Sequence, residues 1–429
     1  MFSKYHAATI GKYILELYWI SGVLLFIISI LLEIGLLFFS DKNIIAKKKQ
    51  VFSIYKFQLF LRSSTYSRSK NHTSNLLLWE FYKKSPVIFL AFFFVVIQII
   101  ALYFTPAITP ATDSLYHEYA QKLHGEMNQD KLNFINDEIE FITKNIEDFE
   151  QKFLEYKSKV ISHDEYNNYL DQYQYSLARQ NVIQEIKQYA EYIIECNQKG
   201  IDAVFIYDTG IMRLISPQFN WLLFVSIVLF SAPSFTMEYI ESSSSSSMSK
   251  LLRTTKHGRT KTFHHKIICN ILFATISFAI YTVLNVIHVV SWYALDSFSV
   301  PMASIQSYYV FGNLSISIFL ILTYTFTFVF IVGFSVLAAA FSQIIKNQLI
   351  VYLTIFGITV LPHVFSYFGI KDVRYFDFVY LSRGNNVLSI ASELSQENQI
   401  LLAFIFIFLF TLITYGVLMF SKFSYTRRN

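Results

Sequence analysis

Seven stretches of this chain, each of roughly 19 residues or more, carry almost no charge: 17–40, 86–105, 219–237, 267–292, 309–341, 349–369 and 399–421. A helix rises about 1.5 Å per residue, so each is long enough to cross a hydrocarbon core of about 30 Å. Nothing else in the sequence constrains the fold as strongly. Backbone polar groups in lipid must be satisfied within the protein, which leaves helices or closed barrels. The composition agrees, with 54% hydrophobic residues, 15% charged and a mean hydropathy of +0.40. The expected class is an all-α membrane protein of about seven transmembrane helices. The fifth run is long enough to tilt strongly or to break near Gly333.

Charge sets the orientation of these spans. Residues 41–85 hold ten Lys/Arg against Asp41 and Glu80, and 238–266 hold six against Glu238 and Glu241. The tail adds Lys422, Arg427 and Arg428, whereas the polar stretch 106–218 has nineteen acids against ten bases. Cytoplasmic loops carry the excess of Lys and Arg. The basic loops and the C-terminus are therefore expected inside, and 106–218 outside. The parity of seven spans puts the N-terminus outside, against which Lys4 and Lys12 stand. The net charge of +5 is then a topology signal, and no nucleic-acid partner is expected. Cys196 and Cys269 form no CxxC pair and read as unpaired packing residues. No small-residue cleavage site follows the first apolar run, so no cleavable signal is expected.

The external stretch has its own pattern. Ile135, Ile139, Ile142, Ile146, Phe149, Phe153, Tyr156 and Val160 alternate at spacings of four and three, a heptad seam of the coiled-coil kind. Ser162 and Glu165 fit a capping box that starts a second helix. That helix carries Tyr166, Leu170, Tyr173 and Leu177, then shifts register near Gln180 and resumes through Ile183, Ile186, Ala190 and Ile193. The pattern predicts an antiparallel helical hairpin with arms of about 50 Å. Two such seams satisfy each other by packing; the alternative is a contact surface for an exported molecule or a second subunit. Gly200–Ile215, with β-branched residues and turn glycines, suits a small hairpin or loop.

No catalytic constellation stands out. There is no G-x-x-x-x-G-K-[ST] phosphate loop, no H-E-x-x-H and no G-x-S-x-G, and the His264–His265 doublet beside Lys266 reads as interfacial charge. The chain is not expected to be an enzyme, nor to hold a metal or cofactor of its own.

The stretch between the third and fourth runs is the most informative: FTMEYIESSSSSSMSKLLRTTKHGRTKTFHHKI, 235–267. Phe235, Glu238 and Glu241 close a span, a short helix Met248–Thr255 follows, and Lys256, Gly258 and Arg259 precede the next span after Lys266. This resembles the signature of ABC-2-type permeases of Gram-positive bacteria. Pro301 with an S-I-Q-S-Y run, FSVLAAAFSQIIKNQ (334–348), Leu361–Pro362, the loop YFGIKDVRYFDFVYL and the lead-in NLLLWEFYKKSPVIFL (75–90) continue the resemblance over about 75–420. Two features depart from the pattern. The serine tract Ser242–Ser247 stands where the family usually has glycine, and the run at 17–40 is additional to the usual six spans.

The resemblance implies a permease subunit of a bacterial cell-membrane ABC exporter, paired with a second permease subunit and with separate ATPase subunits that hold ATP and Mg. Residues 1–85 would be an extra span with a basic cytoplasmic segment, 86–105 the first permease span, 106–218 the extracytoplasmic domain, and 219–429 a five-helix domain. The loop 238–266 would couple to the ATPase. In it Met248, Leu251 and Leu252 would fill a groove of the ATPase, with Lys250, Arg253 and Arg259 at its rim, Glu238 and Glu241 at the helix end, and Gly258 at the turn. Positive-inside charge beside a lipid surface is the plainer account of the basic residues. A peptide or antibiotic-like molecule is one class of exported substrate. A membrane sensor or immunity protein that binds an extracellular peptide shares the same topology. Polar side chains inside the spans, Glu33, Asn270, Asn285, His288 and His363, are the remaining candidates. For the Asn and His residues helix packing is the ordinary role.

Overall fold

The computed structural model describes residues 75–104, 111–217, 220–240, 258–293, 295, 298–345, 347–368, 371–395 and 398–427. About 86% of it is helical, and the described residues include no strand beyond two isolated bridges. The chain divides into Met1–Lys83 and Lys84–Asn429. The first unit contributes one described helix, α1 (Asn75–Lys83).

In the second unit the helices are α2 (Ser85–Phe104), α3 (Ala111–Leu123), α4 (Gln129–Lys157), α5 (His163–Gln198), α6 (Thr209–Ile215), α7 (Asn220–Ser231) and α8 (Pro233–Ile240). After these come α9 (Gly258–Trp292), α10 (Ile316–Ile345), α11 (Gln348–Tyr367), α12 (Phe378–Leu381), α13 (Gly384–Leu394) and α14 (Gln399–Arg427). Among the described residues four helices are long and apolar enough to cross a membrane: Arg259–Trp292, Ile316–Ile345, Gln348–Ser366 and Gln399–Thr426. Val87–Leu102 and Leu222–Met237 are shorter apolar helices. The expected run at 17–40 lies outside the described residues.

The apolar run at 219–237 is two helices because Pro233 lacks an amide hydrogen and takes the first position of α8, the place a helix tolerates proline. Of the two alternatives for the fifth run, a break near Gly333 does not occur: α10 continues through it. Glycine there serves packing. A Cβ would stand 2.5 Å from the ring of Phe410, which stacks on Phe330 at 4.4 Å.

Helices α4 and α5 pack along each other, and the capping box forms as the sequence predicts. The Glu165 amide donates to Ser162 Oγ at 3.3 Å and the Ser162 amide to the Glu165 carboxylate at 3.1 Å. The seam changes character along its length. Near the base it is aliphatic and buried, with Ile135, Ile142, Ile183, Ile186 and Ile193 at 1% exposure or less. Toward the turn it becomes aromatic and half-exposed, with Phe149 stacked on Tyr173 at 4.2 Å and Tyr156 on Tyr166 at 4.3 Å. Val160 lies past the end of α4 and is 71% exposed, so it is not part of the seam. Beside the seam, Arg179 donates to Glu138 at 2.7 Å and its guanidinium lies over Tyr175 at 4.3 Å. Lys122 hydrogen-bonds Glu118 and holds its carboxyl below the usual range, while burial and then Glu138 push the Tyr119 phenol up.

Residues 200–215 form no β-hairpin. A loop pairs Phe205 with Gly125 through amide–carbonyl bonds of 2.8 and 2.9 Å, and α6 follows. The base of α5 is fastened to the segment before α10. The Tyr189 hydroxyl donates to the Ser304 carbonyl, the Tyr192 hydroxyl to the Ala303 carbonyl, and the Val204 amide to Ser304 Oγ at 3.1 Å.

The stretch after α11 folds back into the bundle. The Phe378 ring of α12 lies 5.8 Å from both Phe330 and Phe334, the latter past the midpoint of α10. From there α13 returns along α10, with its first residue against the backbone of Thr323. Only glycine fits, since a Cβ on Gly384 would meet the Thr323 carbonyl at 1.9 Å. The Gly384 amide donates to Thr327 Oγ1 at 2.9 Å.

Candidate functional site

The loop that the sequence singles out runs between α8 and α9. Glu241, Met248, Lys250, Leu251, Leu252 and Arg253 lie outside the described residues, as does Glu33. Glu238 is in the last turns of α8, and Gly258 opens α9. Arg259 donates to the Thr426 carbonyl at 3.2 Å and so ties the start of α9 to the end of α14.

The start of α2 and helices α8 and α9 converge on a buried polar cluster. Lys84, Ser234, Lys266 and Asn270 are each at most 1% exposed. Lys84 Nζ donates to Ser234 Oγ at 2.6 Å and to Asn270 Oδ1 at 3.1 Å, and it lies 4.2 Å from the centre of the Phe230 ring. Lys266 Nζ donates to the Ser234 carbonyl at 2.9 Å, with the Phe235 ring centre 5.5 Å away. Asn270 accepts from Lys84 and Ser234 and returns its own amide to the Lys266 carbonyl at 2.8 Å. Ammonium groups in so dry a place are tolerated because acceptors and aromatic faces replace water. Phe235, Phe263 and Tyr425 close one side, with ring centres 5.3–5.7 Å apart. The arrangement ties α8 and α9 to each other and to the start of α2.

Of the other candidates, Asn285 is buried beside Tyr324, and His288 is half-buried on α9. His363, beside Pro362 in α11, meets Asp377 at 2.6 Å. Asp377 is fully buried, and its other oxygen accepts the Tyr380 amide at 3.0 Å, capping α12. Arg374 pairs with Glu393. The structure thus joins Asn270 to Lys84 and Lys266, which the sequence shows only as members of the basic stretches 41–85 and 238–266, and gives His363 the carboxylate partner Asp377. Asn285 and His288 join neither cluster. Cys196 and Cys269 are both buried and form no disulfide, and no group of three or more metal-ligating side chains occurs among the described residues.

No family model, curated protein or solved structure matches this chain.

Proposed function

We propose that this chain is the membrane-spanning permease subunit of an ABC exporter. It crosses the membrane seven times, with the α4–α5 hairpin outside and the C-terminus in the cytoplasm. It pairs with a second permease subunit, and separate ATPase subunits bind ATP and Mg. The observation that carries the reading is the setting of the loop 241–257. The helices on either side of it, α8 and α9, are bound to each other and to α2 through Lys84, Ser234, Lys266 and Asn270. A push on that loop would therefore move α2, α8 and α9 together, as coupling to an ATPase requires. The short Met248–Thr255 stretch supplies apolar Leu251 and Leu252 for a groove, with Lys250 and Arg253 at its rim. In this class no residue of the permease does covalent chemistry, and the peptide or antibiotic-like molecule crosses as the spans rock.

The test is capture of the partner. Leu251→Asp with Leu252→Asp places two carboxylates in an apolar groove, where an ionised group without a partner is strongly unfavourable. ATPase pull-down from detergent-solubilised membranes should fall at least tenfold, with a fluorescence melting profile matching wild type. Arg259→Ala should lower it less, because a rim charge in water is worth about 0–1 kcal/mol. A folded double variant that keeps its ATPase at wild-type level sinks the reading and favours the peptide-sensing alternative.

A further inference from the structure

Helix α13 begins inside the bundle, and its first turn gathers polar groups that the protein does not satisfy. Arg383 occupies the N-cap position, with no side-chain cap bond to the turn. Its guanidinium is half-buried and, among the described residues, makes no side-chain hydrogen bond and no ion pair. Asp377 and Tyr281 lie within electrostatic reach, but Asp377 has both oxygens engaged, by the Tyr380 amide and by His363. Two further groups meet at the same turn. The Thr323 hydroxyl, 2% exposed, and the Asn385 side-chain oxygen, 6% exposed, have no partner among the described residues. Gly384, which packs on the Thr323 backbone, directly precedes Asn385.

Five guanidinium N–H donors arranged in a planar fork match the oxygens of a carboxylate or phosphate. The positive end of a helix dipole favours the same charge. An ionisable group at depth in a membrane bundle without an internal acceptor is retained for a ligand more readily than for stability. The surroundings specify the rest of the ligand. Phe404 of α14 is 49% exposed and its ring lies 5.2 Å from Phe326 of α10, so apolar surface lies along these two helices.

We infer that Arg383 and the first turn of α13 form a binding site for the anionic headgroup, phosphate or carboxylate, of an amphiphile whose chain lies along α10 and α14. The site is independent of the loop at 241–257 and stands whether or not an ATPase docks there. The amphiphile has two sources, a bilayer lipid or a molecule passing through the protein, and the test separates them.

Full-length protein is placed in phosphatidylcholine nanodiscs and its unfolding midpoint followed during titration with dodecyl phosphate, dodecanol or inorganic phosphate. Dodecyl phosphate at saturation should raise the midpoint by about 5 °C, the size expected of a ligand at about a hundred times its Kd. Dodecanol should leave it unchanged, and Arg383→Gln should abolish the shift. Replacing part of the phosphatidylcholine by phosphatidylglycerol identifies the source. A rise in wild type that is absent in Arg383→Gln assigns a lipid headgroup; no rise, with the dodecyl phosphate shift intact, assigns a passing molecule. Should inorganic phosphate match dodecyl phosphate, the amphiphile proposal fails. It fails equally if Arg383→Gln keeps the full shift. If Arg383→Gln does not fold, Arg383→Lys decides: it keeps the charge but loses the fork, and its shift should fall by half or more. An undiminished shift in Arg383→Lys overturns the site.

Discussion

The bundle holds two buried polar clusters built on opposite plans. Around Asn270 each polar head meets its complement: ammonium groups face hydroxyl, amide and carbonyl oxygens and aromatic rings. Around Arg383 the guanidinium makes no side-chain hydrogen bond, and the Thr323 hydroxyl and the Asn385 side-chain oxygen have no partner among the described residues. Fully satisfied networks rigidify a core, whereas partly satisfied ones are costly to keep. The contrast separates a fastening from a receptor, and substitutions at the two places should behave differently.

The largest expected effect is at the fastening. Asn270→Leu removes the acceptor shared by Lys84 and Ser234 and leaves an ammonium short of one partner. Polar groups in the unfolded membrane state find other partners, which trims such losses. A buried charged donor left unsatisfied still costs about 3 kcal/mol. Denaturant titration in mixed micelles measures it, and a loss below 1 kcal/mol would mean the cluster is not a tie. Next comes Gly384→Ala, which forces α13 away from Thr323. Overpacking of this kind costs about 2 kcal/mol, and the amide–Thr327 bond should lengthen, seen as faster hydrogen exchange at residue 384. Smallest is Arg383→Gln without ligand. It removes a charge that makes no bond, so stability should stay within about 1 kcal/mol of wild type or rise. A loss as large as that of Asn270→Leu would erase the contrast and make Arg383 a structural residue.

What the sequence reveals depends on how local the cause is. Ser162 and Glu165 are three residues apart and act on each other's backbone, so the cap is visible before any fold is known. The seam positions Ile135 and Ile142 follow from periodicity, but the helix end at Lys157, followed by Lys159 at a φ of 61°, takes Val160 out of it. Asn270 stands out as a polar residue in an apolar run. Lys84 and Lys266 do not, because a lysine at a span end can turn to water or inward, and only the placement of Phe230 and Phe235 decides. The return of α12 and α13 was the least legible. The stretch YFGIKDVRYFDFVYL has the composition of a loop, and its depth comes from Phe378 meeting Phe330 and Phe334 far along α10. Gly333 shows the same limit: a glycine read as a possible break serves a ring from another helix.

The fastening of α5 to residues 303–304 makes the hairpin a lever with a defined fulcrum. From Tyr166 near the turn to Tyr189 at the clamp the arm is about 35 Å long at 1.5 Å per residue. A small lateral force at the aromatic end is therefore multiplied at the clamp. It arrives as torque on the short 3-10 segment that leads straight into Ile316, the first residue of α10. Whatever touches the far end of the hairpin has a mechanical line to the central helix of the bundle.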